Sequence, residues 1–556
     1  MSKTSKFFKH PVLFFVDAYK KSKAPPGPVI ALPAAGGQRN IDEKNKSASK
    51  PLPRSTPAQR STPKAEGPKP QSYYLETILD FKRSNAINSL KLGDYHLWPA
   101  FRSELMIQCD IAWRKNIKNE LAFNPYQSQL CRPANIGYEK AIELKSSFEY
   151  FHGIDDLEVG ECDYLFFSNL NSTDHVEAGG KIYNRLIDPL FEAAQLVGTA
   201  KKLEIIKAAS PAIERIKKYH NIPLCILPPH IYSYGWSEVV QWPRSFLESL
   251  QAKIPFLKFS KDRLDSFFDW HFQMKKFYGE LLDKINPKVV FVHPFYYYTP
   301  LIAAARERGI KTVDVQHGVM IGYNTVFYAN WQEVPDQGYA AMPDYFLVWS
   351  EQEKEHLDAT FSNSRGEINH QAIVSGYAWL DYAVAKSSKA VARVNRITKF
   401  TSDARLSILI TLQRDSVIPE NVEAIIRSAG EDMRWLIRRH PKGERFTNSV
   451  QKLKTVLVGK DVDDADLRDI FECVDYNFTD GSSTVLEADY YNVTSFVFGH
   501  EGILNYKDLI DEGKVGVIPP AAMEFADLNL CKGENGRIGY FKRRDLSAMF
   551  RALRGD

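Results

Sequence analysis

The chain has 556 residues, 44% of them hydrophobic and 25% charged, which is the composition of a protein with large folded domains and excludes a purely structural peptide. Its length predicts two or three domains, and no run of about 18 uncharged apolar residues is present, so we expect no membrane-spanning helix. The net charge of +4 is uneven: residues 1–70 hold 14 Lys/Arg against 4 Asp/Glu, and the rest holds 58 against 64. A slightly acidic body argues against nucleic acid as the main partner.

The first 72 residues separate into two segments by composition. Residues 1–23 mix aromatic side chains with lysines, as in KFFKHPVLFFVDAYKK, which is typical of a segment that lies on an anionic membrane surface. Packing of these aromatic side chains on the protein's own body is an equal alternative. Residues 24–72 are rich in proline and poor in large apolar side chains, which predicts a disordered linker. We expect no secretory signal, and therefore a cytoplasmic protein, peripheral on the inner face of the plasma membrane.

Apolar residues at helical spacing begin near Tyr73, and beyond residue 125 strands and helices alternate. The predicted strands, in chain order, are DYLFFSNL, KVVFVH, KTVDVQHG, DYFLVWS, RLSILITLQR, MRWLIRRHP, DYNFTDGSS, TSFVFGH and KVGVIPP. The predicted helices are KIYNRLIDPLFEAAQLVG, TPLIAAARERG, ENVEAIIRSAG and one that begins at Thr484. This alternation predicts an α/β protein with two doubly wound parallel sheets. We place one Rossmann-like domain at 73–335, a second at 336–530, and a C-terminal helix that crosses back at 531–556.

Ligands of parallel sheets bind beyond the carboxyl ends of the strands, so polar residues that follow a strand are the candidate site residues. In DGSSTVLEADYYN, Ser482, Ser483 and Thr484 open a helix, where backbone N–H groups and hydroxyls can bind a phosphate. The alternative is an ordinary helix cap at Ser482 or Ser483 with Glu487 closing the first turn. For an isolated motif that cap is the commoner case.

Two further strands end in histidine. MRWLIRRHPKGE places His440, Pro441 and Lys442 one βα unit before the serines, where an imidazole and an ammonium can neutralise a nucleotide phosphate. KTVDVQHG ends in His317, a candidate general base or phosphate ligand, and carries Asp314, which can orient a partner. A histidine that only caps the strand is an equal alternative for His317.

The order of these motifs, QHG, then HP, then SS followed by Thr, resembles capsule-polysaccharide transferases of the GT-B fold. These include bacterial sialyltransferases and polysialyltransferases, Kdo transferases and CDP-glycerol polyol-phosphate transferases. The opening KFFKHPVLFFVDAYKK and the segment GGKIYNRLIDPL also look like parts of these enzymes. The resemblance implies two Rossmann-like domains that face each other across a nucleotide-sugar cleft. It also implies that the donor nucleotide is bound by His440, Pro441, Ser482, Ser483 and Thr484. To this donor-binding set we add Arg414, Lys442 and Glu487.

The catalytic base is the part of the site where the resemblance helps least. Sialyl- and Kdo transferases carry an acidic residue followed closely by glycine, and the chain has no clear match to that pattern. The segment NSTDHVEAGG follows the strand DYLFFSNL and offers Asp174, His175 and Glu177 at a strand end, where an acceptor hydroxyl can be deprotonated. By resemblance His317 lies near the transferred group. We therefore take His317, Asp174 and Glu177 as the candidate catalytic residues.

These features predict an inverting, metal-independent glycosyltransferase of bacterial capsule or surface-polysaccharide synthesis. The expected partners are a nucleotide sugar, with a CMP-linked donor preferred, and a glycan or lipid-linked glycan acceptor; no metal and no other cofactor is expected. Three alternatives stay open: a CDP-polyol phosphotransferase with His317 as base, a non-catalytic capsule-assembly protein, and a nucleotide-sugar epimerase. Fold alone does not decide among them.

Overall fold

The computed structural model describes residues 71–84, 87–114, 121–123, 151–153, 157, 160–167, 174–205, 215–227, 242, 244–320, 328, 331, 334–383, 386, 388–413, 417–440, 449–530, 538–542 and 544–556. The predicted membrane-associating segment and all but the last two residues of the predicted linker lie outside these ranges. Those two residues, 71 and 72, belong to the first helix. Among the helices in the described ranges, none combines the length and the apolar character that crossing a bilayer requires.

The first part of the chain forms helices around short strands and then enters a large sheet. In chain order its elements are α1 (Gln71–Ser84), β1 (Lys91–Leu92), β2 (Tyr95–His96), α2 (Trp98–Arg114), β3 (Leu121–Ala122), β4 (Phe151–Gly153), β5 (Cys162–Phe167), β6 (His175–Ala178), β7 (Lys181–Asn184), α3 (Asp188–Gln195), β8 (Ala200–Ile205), β9 (Leu224–Leu227), α4 (Arg244–Lys253), β10 (Leu257–Lys258), α5 (Lys261–Ile285), β11 (Pro287–Val292), α6 (Thr299–Arg306), β12 (Lys311–Val315), β13 (Tyr345–Val348), α7 (Glu351–Thr360) and β14 (Gln371–Val374).

The second part of the chain repeats the alternation on a smaller scale. Its elements are α8 (Ser388–Thr401), β15 (Leu406–Thr411), α9 (Glu420–Ser428), β16 (Met433–Arg438), β17 (Val456–Val458), α10 (Lys460–Asp463), α11 (Leu467–Phe471), β18 (Tyr476–Thr479), α12 (Thr484–Tyr490), β19 (Thr494–Val497), α13 (His500–Asn505), α14 (Lys507–Asp511), β20 (Gly516–Val517) and α15 (Leu546–Arg554).

Each part is built on one parallel sheet. The larger sheet has eight strands in the order β14-β13-β12-β11-β5-β8-β9-β4. The smaller has six, in the order β17-β16-β15-β18-β19-β20, which is the strand order of the classical dinucleotide-binding fold. The central strands are buried, including polar residues such as Asp314 and Asn477, because helices cover both faces of such a sheet. The prediction of a GT-B-like fold with two Rossmann-like domains is therefore confirmed.

Residues 181–198, which we predicted to be one helix, divide into a strand and a shorter helix. β6 and β7 form an antiparallel hairpin in which Ala178 pairs with Lys181. Gly179 and Gly180 between them have φ of +60° and +78°, the backbone that a two-residue hairpin turn requires and that glycine adopts without strain. Only Asp188–Gln195 is helical, with a proline in its first turn. This correction matters because the hairpin lies beyond the carboxyl end of β5.

The junction between the two parts falls later than predicted. β13 and β14 pair in parallel with each other, and β13 pairs with β12, so the first sheet extends to Val374. The predicted boundary at 335/336 is therefore too early, because it assigned these two strands to the second domain. The second sheet begins with β15.

The two parts share an apolar core. Leu486 on α12 and Tyr506, which precedes α14, are buried in one cluster with Trp349 and Tyr377 of the first part. The C-terminal helix α15 also packs on the first sheet: the Tyr164 hydroxyl donates a hydrogen bond to the Phe550 carbonyl at 2.9 Å. These contacts join the two sheets, and the groups described next follow the carboxyl ends of their strands.

Candidate active site

The strand order of each sheet reverses at one point, and both reversal points are polar. In the first sheet, successive strands run outward in one direction from β5 and in the other from β11, so the reversal lies between these neighbours. In the second it lies between β15 and β18. Connections on the two sides diverge there and leave a crevice at the carboxyl ends, where ligands of open α/β sheets bind. The candidate residues can be located relative to these two crevices.

His317 follows β12 and lies beside the first crevice. Its Nε2 is 3.4 Å from the hydroxyl of Tyr296, and its Nδ1 is buried without a hydrogen-bond partner among the residues that the structure describes. Burial lowers the pKa of His317, while the carboxylate of Asp174 acts in the opposite direction and the guanidinium of Arg185 reinforces the lowering. The ring is therefore neutral at pH 7 and can accept a proton.

Asp314 supports this region from below. It is fully buried and accepts hydrogen bonds from the backbone N–H of Phe295 at 2.8 Å and from the hydroxyl of Tyr328 at 2.9 Å. The Tyr328 ring lies 6.4 Å from that of His317. Asp314 thus orients the turn after β11 and a tyrosine beside His317, rather than the imidazole itself.

The hairpin β6–β7 carries the two acidic candidates to different places. Asp174 accepts a hydrogen bond from Arg185 at 3.3 Å, and its charge acts on His317. Glu177 is exposed and is not among the charged groups that shift the pKa of His317. Of the two, only Asp174 therefore lies with the histidine.

The second crevice is lined by hydroxyl groups. The Thr484 hydroxyl lies 2.9 Å from that of Thr411 at the end of β15, and the Thr479 hydroxyl donates to the Thr411 carbonyl at 3.0 Å. Ser482 accepts a hydrogen bond from the Thr484 N–H at 3.3 Å. Ser483 occupies the helix cap position but its side chain makes no capping hydrogen bond. The alternative that Ser483 only caps the helix is therefore not supported. Its half-buried hydroxyl lies at the reversal point of the sheet.

Charged groups of the two crevices act on each other across the cleft. Glu487, in the first turn of α12, is 4% exposed, and burial raises the pKa of its carboxyl. The guanidinium groups of Arg185, on the first domain, and Arg438, at the end of β16, oppose that rise, and Asp174 reinforces it. The guanidinium of Arg438 donates to backbone carbonyls of the 462–465 segment. The cleft thus brings Asp174 and Arg185 of one domain toward Glu487 of the other.

The remaining donor-side candidates follow β15 and β16. His440 is half-buried, two residues beyond β16, the strand next to β15 in the sheet. Arg414, Pro441 and Lys442 lie outside the described residues, so their predicted roles stay predictions.

Sequence reasoning did not single out Arg185, His293 or Glu353. His293 directly follows β11, at the reversal point of the first sheet, and the signal for it was the same as for His317: an apolar strand that ends in an imidazole. Arg185 follows β7, which we predicted to be helical, so its position could not be read from the pattern. Glu353 is in α7, three residues beyond the predicted strand DYFLVWS, in a segment without a motif.

Glu353 holds in place the loop of residues 316–318, the QHG loop. It is fully buried, and its carboxylate accepts hydrogen bonds from the Gln316 side chain at 2.5 Å and from the Met320 N–H at 2.9 Å. The side-chain amide oxygen of Gln316 in turn accepts a hydrogen bond from the Trp349 N–H at 2.6 Å. Since His317 lies between Gln316 and Met320, this network determines where the imidazole can be.

Glu353 should make stability depend on pH. Burial raises the pKa of its carboxyl from 4.5 to about 7 in spite of the hydrogen bonds it accepts. The stability that this group contributes is fully present below the unfolded pKa and is lost as the pH rises through the folded one. Between pH 5 and pH 8 the loss amounts to about 2–3 kcal/mol. Glu353→Gln mimics the protonated carboxyl, so the free energy of unfolding, measured by urea denaturation, should fall less steeply with pH in this variant. Parallel profiles for the two proteins would contradict the assignment.

Comparison with known proteins gives distant structural similarities and no function. No protein-family model matches the chain, and a search of curated protein sequences found no match. Among solved structures, the UDP-GlcNAc 2-epimerase from Methanocaldococcus jannaschii is similar at 11% identity and a TM-score of 0.42, over 71% of this chain and 99% of that one. The UDP-GlcNAc 2-epimerase from Neisseria meningitidis, bound to UDP-GlcNAc, gives 11% and 0.37, over 71% and 91%. The glycosyltransferase SnogD from Streptomyces nogalater gives 12% and 0.36, over 71% and 94%. Similarities of this size do not identify a substrate or a reaction.

Proposed function

We propose that the protein is a glycosyltransferase that transfers a sugar from a nucleotide donor, preferably CMP-linked, to a glycan acceptor in bacterial capsule or surface-polysaccharide synthesis. The observation that carries the proposal is the meeting of two reversal-point crevices, each with a distinct chemistry. One presents neutral imidazoles with Asp174 and Arg185, and the other presents hydroxyls with Glu487. A two-substrate transfer needs such a cleft, in which a nucleotide binds on one side and an acceptor on the other.

The chemistry follows from where the groups lie. The acceptor hydroxyl attacks the anomeric carbon of the donor, a new C–O bond forms, and the bond to the nucleotide phosphate breaks with its electron pair leaving on the phosphate. His317 takes the proton of the attacking hydroxyl, and the nearby carboxylate of Asp174 stabilises the imidazolium that results. A single displacement of this kind inverts the anomeric configuration.

The departing nucleotide carries negative charge on its phosphate, and the second domain has to stabilise that charge. The hydroxyls of Ser482 and Ser483 and the side chains of His440 and Lys442 supply donors for a phosphate without a requirement for a metal. Preference for a cytidine nucleotide is supported by the resemblance of the HP and SS motifs. Glu487, which is buried below these groups, is suited to accept hydrogen bonds from hydroxyls of the nucleotide.

A thermal-shift panel tests the proposal. A ligand that binds only the native state raises the melting temperature, by an amount that grows with concentration over Kd. We expect CMP to stabilise the protein more than CDP, UDP, GDP or ADP, and Ser483→Ala or His440→Ala to remove the effect. Ser402→Ala, an exposed serine far along the chain from both motifs, is the matched control and should leave the shift unchanged.

The other outcomes of the panel are equally informative. A preference for CDP would replace sugar transfer by polyol-phosphate transfer, and a response to UDP or GDP alone would refute the CMP assignment. If none of the five nucleotides shifts the melting temperature at millimolar concentration, the enzyme proposal fails and a non-catalytic role in capsule assembly takes its place.

We also propose that residues 1–23 bring the enzyme to the inner face of the plasma membrane. The support is their mixture of aromatic side chains and lysines, which suits an anionic surface. The full chain should sediment with vesicles that contain phosphatidylserine, and a chain without residues 1–23 should stay in the supernatant at physiological ionic strength. Equal sedimentation of both would refute the proposal.

A further inference from the structure

His293 occupies the reversal point of the first sheet and is not yet assigned a task. It follows β11, whose neighbour on the far side is β5, so it stands where the two halves of the sheet diverge. The side chain is 1% exposed, and its Nε2 is buried without a hydrogen-bond partner in the described part of the chain. A buried polar atom left without a partner is destabilising, so natural proteins keep few of them. An atom of this kind in a ligand crevice indicates a group that hydrogen-bonds to the ligand.

Two other histidines share this property nearby. The Nδ1 atoms of His175, on β6, and of His317 are also buried, and neither has a partner among the residues described. Strand register links two of the three, because Val292 pairs with Asp314 and each histidine follows shortly after its strand. The charge of His293 acts on His175, and the charge of His317 acts on His293. Three incompletely bonded imidazoles therefore surround one end of the crevice.

The protonation state of these rings limits what they can bind. Burial lowers the pKa of His293 to about 4 and that of His175 to about 3, so both are neutral at pH 7. A neutral imidazole donates one hydrogen bond and accepts another, as a hydroxyl group also does. Two of the cations near them are already engaged: Arg185 with Asp174, and Lys202 in a buried ion pair with Asp188 at 2.6 Å. The third, Arg215, acts on His175 but is exposed to solvent. The site therefore matches uncharged hydroxyls better than a phosphate or a carboxylate.

We propose that His293, together with His175 and His317, forms the binding site for hydroxyl groups of a neutral sugar residue at the acceptor end. This inference rests on the proposed function and adds the substrate class for its acceptor side. His317 takes the proton of the attacking hydroxyl, and the Nε2 of His293 hydrogen-bonds to a hydroxyl of the same sugar. His293 is thus a substrate-binding residue, and the acceptor sugar that it selects carries no charge at this position.

The test observes the histidine rings directly in the full chain. The protein is labelled with ¹⁵N-histidine, and the signal of His293 is assigned by its loss in His293→Gln. Neutral methyl glycosides and disaccharides, N-acetylneuraminate and inorganic phosphate are then added separately at concentrations well above a millimolar Kd. We expect at least one neutral sugar to shift the Nε2 signal of His293 and neither anion to do so. A larger shift with phosphate, or no shift with any neutral sugar, would overturn the proposal.

Two variants separate binding from structure. His293→Gln places an amide near the position of Nε2, and His293→Asn places one near Nδ1. If Nε2 binds the sugar, the Kd read from the His317 signal should rise about tenfold in His293→Asn and stay within threefold in His293→Gln. If His293 has only a structural role, the two variants should have equal Kd values, and His293→Asn should have the higher melting temperature.

Nucleotides measured on the same samples distinguish this inference from the proposed function. The shift of melting temperature with CMP should be equal in wild type, His293→Gln and His293→Asn, since the donor crevice lies on the other sheet. If sugars shift the histidine signals but no nucleotide stabilises the protein, the proposed function fails and the sugar site stands. If nucleotides bind and sugars do not, the donor side stands and the inference about His293 is wrong.

Discussion

Replacement of His317 by alanine is expected to lower kcat/KM for sugar transfer by about 10²- to 10⁴-fold, the usual contribution of a general base. The variant should still bind nucleotide, because the hydroxyls that we propose bind the donor are on the other domain. The imidazole must be neutral to accept a proton, and burial lowers its pKa below the ordinary 6.5. The acid limb of the pH profile of kcat/KM should therefore lie below pH 6.5 in the wild type and be absent in the variant.

His370 provides the matched control for His317. It is fully buried, but both ring nitrogens are satisfied by backbone: one lies 2.7 Å from the Pro343 carbonyl, and the other accepts from the Tyr339 N–H at 2.9 Å. His370→Asn should lower the melting temperature and leave kcat unchanged for the folded enzyme. If His317→Ala keeps kcat/KM within threefold of wild type, His317 is not the base, and Asp174 becomes the candidate.

Arg185→Met is expected to lower the free energy of unfolding by about 2–4 kcal/mol, because it removes a cation from beside two partly or wholly buried carboxylates. These are Asp174, hydrogen-bonded to Arg185 at 3.3 Å, and Glu487 across the cleft. Only 23% of the Arg185 side chain and 12% of the Asp174 side chain are exposed, so solvent screens the interaction little. Urea denaturation at pH 7.5, where both carboxyls carry their full charge in the unfolded chain, measures the loss.

A double-mutant cycle with Asp174→Asn assigns the part that belongs to this pair. Removal of the carboxylate should recover much of the stability lost in Arg185→Met, with a coupling energy of about 1–3 kcal/mol. The control is Arg244→Met, since Arg244 pairs with Glu248 on α4 with side chains 92% and 64% exposed. That exposed pair should contribute less than about 0.5 kcal/mol. An equal, small loss for Arg185→Met and Arg244→Met would show that the cleft charges do not depend on each other.

The candidate site residues differ in how visible they are in the sequence. His317 and the serines could be identified because each follows an apolar strand, and the carboxyl ends of parallel strands meet at one edge of a sheet. His293 also follows an apolar strand, but the sequence alone gives no reason to select it. Its importance comes from the reversal of strand order between β11 and β5. Strand order is a property of the assembled sheet. Arg185 was hidden for a different reason: the segment KIYN has no pattern that separates a hairpin strand from a helical turn.

Local patterns in the sequence determined the class of fold and many of the elements, but not the hairpin β6–β7. Runs such as KVVFVH and RLSILIT are mostly apolar because both faces of a parallel strand are buried, and the predicted helices follow from their periodicity. Tertiary structure decided what depends on contacts between distant segments. It assigned β13 and β14 to the first sheet, brought Glu353 to the QHG loop, and set Arg185 opposite Glu487. Hydrogen bonding between strands and the pairing of buried charges select these arrangements, and neither leaves a periodic signal along the chain.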